Sequence, residues 1–145
     1  MAIFAAICSS EKKGTQKHLV PEAELKVDWG IVGDAHAGNW HRQVSLLSRS
    51  SVERMQEKLS SYRLKPGDFA ENILVDGVEV KALPIGQKLR LGAQAVVEVT
   101  QIGKECHHDC VIRQRAGDCV MPREGVFIKI IHPGVIRVGD TVEQI

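Results

Sequence analysis

The chain reads as a mainly β protein: a small antiparallel β-barrel with one clear helix and minor helical decoration. Three observations lead to that class. Short runs rich in Val, Ile and Leu recur along the chain between glycine turns, as in a closed or nearly closed barrel. One stretch alone, Ser50 to about Tyr62, combines a helix-start pattern with apolar residues at helical spacing. Two segments, Gly86 to Thr100 and Gly134 to Glu143, repeat one device: a glycine, an apolar–basic–apolar alternation, a second glycine and a strand.

Taken in order, Met1 to Ile7 is apolar and suits a buried first strand. Val20 to Val27 alternates in part and contains Pro21, which fits an edge strand or an irregular extended segment. Trp29 to Arg42 holds three glycines and a Gly33-Asp34 step and reads as a long structured loop. Gln43 to Leu47 is a short strand. Ser50-Ser51-Val52-Glu53 is a capping-box pattern, and Val52, Met55 and Leu59 share one face of the helix that follows. Lys65-Pro66-Gly67-Asp68 closes it with a turn. Phe69 to Val75 returns to strand, and Asp76-Gly77 signals a hairpin. The two glycine devices are expected to be tight turns between antiparallel strands. Val126 to Ile131 is a β-branched strand closed by His132-Pro133-Gly134.

A length of 145 residues suits one domain, spanning 1–145, with a core of its own. The net charge of +1 and the shortage of aromatics (one Tyr, two Trp, three Phe) argue against nucleic acid as a partner. The apolar start lacks the basic region of a signal peptide, and no run reaches the roughly 18 apolar residues of a membrane span. No membrane association and a cytoplasmic location are therefore expected. The four cysteines are unevenly placed, which suits free thiols better than disulfides.

The densest chemistry lies between Gly103 and Phe127. It holds Cys106, Cys110 and Cys119, then His107 and His108, with Lys104, Arg113, Arg115 and Arg123 beside them. Three readings are open. The set could ligate zinc, although it lacks a Cys-x-x-Cys pair. One thiol could be activated by the neighbouring cations. Cys106 could be a single soft ligand to a metal whose other ligands come from a cofactor. Lys13 and Lys17 flank Gly14 and Thr15 and could hold a phosphate or form a solvated turn. His36, His41 and Arg42 sit in the long loop, where function tends to concentrate. Walker, dinucleotide, nucleophile-elbow and zincin motifs are absent.

Together these pieces resemble a stand-alone MOSC domain, the module similar to the C-terminal domain of molybdenum cofactor sulfurases. The resemblance runs nearly end to end. It is carried by Lys13-Gly14 with Lys17, Gly33 to Gly38, Trp40 to Leu47, Gly67 to Ile73, Leu83 to Gly86, Cys106-His107, Gly125 to Phe127 and Gly139-Asp140. It implies a β-barrel that binds the molybdenum cofactor, a pterin dithiolene (molybdopterin) bearing a phosphate. By the same resemblance Cys106 is the catalytic cysteine that ligates molybdenum or carries sulfur. Arg42 and Gln43 resemble the Arg-Gln pair of the amidoxime-reducing proteins, in which the Arg helps hold the cofactor, and Asn72 matches an Asn of that site. Those relatives have a basic residue two positions before the Asn, where this chain has Ala70. Lys13, Lys17 and Arg42 would supply cations to the phosphate, and His36 or His41 would orient the pterin or relay a proton. Two roles follow. One is a carrier of the cofactor or its sulfur, working with a cofactor-biosynthesis protein. The other is a reductase of N-hydroxylated substrates, fed by a separate electron-transfer partner. A zinc-stabilised interaction module is the rival from another class.

Overall fold

A computed structural model describes residues 2–12, 17–59, 62–103 and 121–145, without the side chains of Met121 and Pro122. Its strands are β1 (Ala2–Ser9), β2 (His18–Val20), β3 (Glu22–Lys26), β4 (Gly30–Ile31), β5 (Val44–Ser48), β6 (Ile73–Asp76), β7 (Lys88–Leu91), β8 (Ala95–Ile102), β9 (Val126–His132), β10 (Gly134–Arg137) and β11 (Thr141–Gln144). Helix α1 spans Arg49–Gln56, a 3-10 turn covers Val80–Ala82, and the single turn α2 spans Met121–Glu124.

Seven strands close a barrel in the order β1-β11-β7-β8-β9-β5-β6 and back to β1. Closure depends on β1 having two neighbours on one side. Its first residues pair with β11 (Ala2 opposite Val142), and its last residues pair with β2 (Cys8 opposite Leu19). A small second sheet, β10-β3-β4, covers the barrel.

The expected antiparallel barrel is realised at every ladder of the barrel but one. β5 and β6 are parallel, with Leu46 opposite Ile73, because α1 and the chain after it form the crossover that a parallel pair needs. β5 is accordingly buried on both faces. Val44 and Leu46 join Phe4, Ile7, Ile73, Leu89, Val97 and Ile128 inside the barrel. Leu47 points the other way, to a second cluster with Ala6, Cys8, Met55, Leu59, Phe69 and Phe127 beneath α1.

Several local expectations are corrected. The N-cap of α1 is Ser48, not Ser50, and no side chain caps it. Ser48 Oγ instead donates to Val78 O and accepts from Val80 N, each at 2.8 Å, tying the helix entrance to the 3-10 turn. Ser50 Oγ donates to Glu79, and Glu53 reaches Arg49. The helix stops at Gln56, short of Tyr62, because the Gln56 amide donates to Leu59 O and Tyr62 O and accepts from Leu64 N, turning the chain back. The strand expected from Phe69 begins at Ile73, after a turn around Gly67. Asp76-Gly77 makes no hairpin, since it leads into the 3-10 turn and β6 pairs with β1 and β5. Of the two glycine devices, Gly86 to Thr100 is the expected hairpin, β7–β8. In the other, β10 pairs with β3 and β11 with β7 and β1, so the turn at Gly139 carries the chain between two sheets.

Candidate functional site

The loop after β4 is held at one end of the barrel by a buried ion pair. Lys17 follows a close approach of chains: its N–H donates to Gly67 O at 3.0 Å, and a Cβ on Gly67, whose φ is +92°, would stand 2.0 Å from Lys17 O. Glycine is therefore required there. The Lys17 ammonium lies 2.8 Å from Asp34 Oδ1, both side chains being fully buried. It also donates to Ser10 Oγ at 3.1 Å and lies 3.0 Å from His36 Nδ1. Asp34 Oδ1 accepts from Ser9 Oγ and Ser10 N, and Oδ2 from His36 N. Burial acts to raise the Asp34 pKa. The Lys17 ammonium and the backbone N–H groups of Ser10 and His36 outweigh it, and the carboxyl sits below its usual value.

From His36 the network continues to Arg42. Trp40 Nε1 donates to His36 O at 2.9 Å. The Arg42 guanidinium lies over the Trp40 ring, 4.6 Å from its centroid, with the Phe127 ring 5.7 Å away. Its Nε is buried and has no hydrogen-bond partner among the described residues. Among the described residues no carboxylate pairs with Arg42. Next to it, His41 Nε2 meets Gln101 Oε1 at 2.8 Å, and His41 O accepts from Thr100 Oγ1. Gln101 Nε2 in turn donates to Gly103 O at 2.7 Å. The loop is thus fastened to the end of β8, whose last residue, Ile102, stands four positions before Cys106 in the chain. Gln43, the partner of Arg42 in the resemblance, turns inward and accepts from Ile130 N at 2.9 Å.

Asn72 is a cross-link between strands. Its Oδ1 accepts from Ser45 N at 3.0 Å, and its Nδ2 donates to Cys8 O at 3.1 Å. Beside it Ala70 has φ +62°, and Glu71 is wholly buried. The Glu71 carboxylate accepts from Gly67 N at 2.9 Å and Phe69 N at 3.2 Å. Burial pushes the Glu71 pKa up to about 7, against the pull of those N–H groups. The buried Cys8 thiol is pushed up to about 12, first by burial and then by the Glu71 charge.

The structure brings Lys17, His36, His41 and Arg42 into one continuous network and sets Asn72 in the barrel wall. Lys13 and Cys106 lie outside the described residues, as do Lys104, Cys110 and Cys119. Among the described residues, no group of three or more His, Cys, Asp or Glu could hold a metal ion. No helix there is long and apolar enough to cross a membrane. Asp34, Trp40, Gln101 and Phe127 are neighbours of these candidate residues that sequence reasoning did not name as candidates. Asp34, Trp40 and Phe127 left a signal only as members of the stretches that carry the resemblance, and Gln101 left none. The arrangement offers an anion an arginine that lies near two aromatic rings, with its Nε without a partner among the described residues.

Comparisons with known proteins bear on the fold. The fold matches the YuaD protein of Bacillus subtilis at a TM-score of 0.81 and 17% identity, covering 99% of this chain and 96% of that one. It matches YiiM of Geobacillus stearothermophilus at 0.73 and 14%, covering 100% and 75%, and YiiM of Escherichia coli at 0.70 and 18%, covering 100% and 70%. No curated protein matches the sequence. The MOSC domain model matches residues 33–143, the stretch from the Gly33 loop through Arg42, the end of β8 and the closing strand β11. That family is associated with molybdenum cofactor binding or sulfurase-like function. The match covers most of the chain and takes in six of the seven barrel strands, all but β1: the chain belongs to the MOSC domain family.

Proposed function

We propose that this protein binds the molybdenum cofactor and carries it, or its sulfur, during cofactor maturation, with a cofactor-biosynthesis protein as partner. The observation that carries the reading is Arg42. A buried guanidinium nitrogen without a hydrogen-bond partner is costly, and a ligand phosphate oxygen would relieve that cost. The aromatic faces of Trp40 and Phe127 hold the guanidinium plane in place for such a contact. When bound, the cofactor supplies a soft molybdenum–dithiolene centre, for which a thiolate is a suitable protein ligand. Cys106 fills that role in this reading, and the fastening of His41 to Thr100 and Gln101 steadies the strand end that leads to it.

Lys17 and Asn72 support the site from behind. The ammonium of Lys17 is committed to Asp34, Ser10 and His36, so it holds the loop instead of gripping a phosphate directly. Asn72 keeps β1, β5 and the start of β6 in register beneath it.

The test is reconstitution of the purified protein with molybdenum cofactor, comparing wild type with Cys106→Ser and Arg42→Met. Metal analysis reads molybdenum, and fluorescence after oxidation reads pterin. The serine variant is expected to lose molybdenum at least tenfold. The methionine variant is expected to weaken pterin retention at least tenfold, the loss of a charge-assisted contact. Variants that retain both at wild-type levels would overturn the assignment of these residues.

A further inference from the structure

A groove of about 470 Å³ opens where α1 faces the stretch that follows it. Its apolar lining is Val52 of α1, Leu64 and Pro66 of that stretch, and Ala5 and Leu74 of the paired strands β1 and β6. Ala5, Val52 and Leu64 are partly buried and pack against the second core cluster, to which Leu74 belongs. The groove is thus an open edge of that core. Its two sides differ in charge. On α1, Arg49 is met by Glu53 at 3.8 Å and by Asp76 at 3.6 Å, so its charge is answered within the chain. On the other side Arg63 and Lys65 are exposed, and among the described residues no carboxylate pairs with the charged group of either. Gln56 fixes the stretch that carries them. Its amide donates to Leu59 O at 3.0 Å and Tyr62 O at 2.8 Å and accepts from Leu64 N at 2.8 Å. Lys65 N donates to Asp68 Oδ2 at 3.0 Å. An apolar strip bounded on one side by two unanswered cations on a fixed backbone suits a segment that is apolar along its length and acidic on one flank.

We propose that the groove between α1 and residues 63–66 is a docking site for a protein partner, which enters it with a short segment of apolar side chains and sets carboxylates against Arg63 and Lys65. A protein segment fits better than an anionic bilayer. The site is a concave groove, and Glu53 and Asp76 stand on its other side, where a sheet of negative charge would be repelled. Recognition here uses none of the residues assigned to the cofactor, so the inference goes beyond the proposed function and does not depend on it.

The test uses the full-length protein without cofactor. Random peptides displayed on phage are selected on wild type, the enriched sequences are synthesised, and their binding is read by fluorescence anisotropy. Enriched peptides are expected to combine apolar residues with Asp or Glu. They should bind the double variant Arg63→Glu, Lys65→Glu at least tenfold more weakly than wild type. Replacing the acids of the peptide by lysine should weaken binding to wild type at least tenfold as well. Lys26→Glu, a charge reversal on the exposed face of β3, should leave binding within twofold. Arg63 and Lys65 are exposed, so the double variant is expected to fold; if it does not, the lysine peptides decide. Failure to enrich any peptide, or equal binding to wild type and the double variant, would overturn the proposal. So would wild-type binding to vesicles of phosphatidylserine and phosphatidylcholine that the double variant loses, or a wild-type dimer that it breaks, since the occupant would then be a bilayer or a second copy. A wild type that binds the peptides but no cofactor would leave the docking site standing and remove the proposed function.

Discussion

Glu71 places a carboxyl group where water does not reach, and stability should register it. In an unfolded chain its carboxyl releases its proton near pH 4.5; in the folded protein burial holds the proton up to about pH 7. Between those values the folded state binds more protons, so stability falls as pH rises, by up to roughly 3 kcal/mol, and levels off above pH 7. Urea unfolding at pH 5 and pH 7.5 should show that loss in wild type and little of it in Glu71→Gln. Equal slopes in the two proteins would remove Glu71 as the cause. Cys8 gives a simpler expectation: with its thiol buried and its pKa near 12, it should resist thiol reagents in the native protein at pH 7.5 and react on unfolding. At this scale the sequence is legible where chemistry is local. Arg42, a basic residue in a polar loop, stands out without a structure. Lys17 does not show its role, because its partner Asp34 is 17 residues away and only the fold joins them. Asn72 is similar, since its partners Cys8 and Ser45 lie on strands remote in sequence.

Elements were legible in kind more than in their joints. β1, β5, β9, the β7–β8 hairpin and α1 follow from apolar runs, helical spacing and glycine turns. What misled was local turn chemistry that the tertiary structure overrode. Ser50 had the form of an N-cap, yet Glu79 claims its hydroxyl, while Ser48 binds the 3-10 turn. Ser48→Ala strands the Val80 N–H and the Val78 carbonyl, and should cost about 2 kcal/mol in urea unfolding. A change within a few tenths of zero would show that the joint is not needed. The turn before β6 makes a sharper contrast. Gly67→Ala should cost about 3 kcal/mol or more, since its Cβ meets Lys17 O at 2.0 Å on a positive φ. Gly86→Ala has a similar φ of +94° but open space around it, and should cost only about 1 kcal/mol. If the two substitutions cost the same, the Lys17–Gly67 approach is not as tight as described.

The described residues form a barrel closed between its first and last strands, with the loop after β4 pinned to one end. The barrel class was legible because short β-branched runs and glycine turns dominate the chain. Its closure was not, since pairing Ala2 with Val142 joins residues that no local pattern connects. Nor was the parallel β5–β6 pair, which mimics an antiparallel neighbour in composition. The long loop was legible as a cluster of polar residues, but the thread from Asp34 through Lys17, His36 and Trp40 to Arg42 required the fold, and the cysteine segment lies outside the described residues. The proposed molybdenum cofactor site joins this pinned loop to Cys106. It is probed by counting molybdenum and pterin per chain in wild-type protein reconstituted with cofactor and freed of excess. About one of each is predicted for a single site. Zinc near one per chain with no pterin would contradict the proposal and make the cysteine segment a structural metal site.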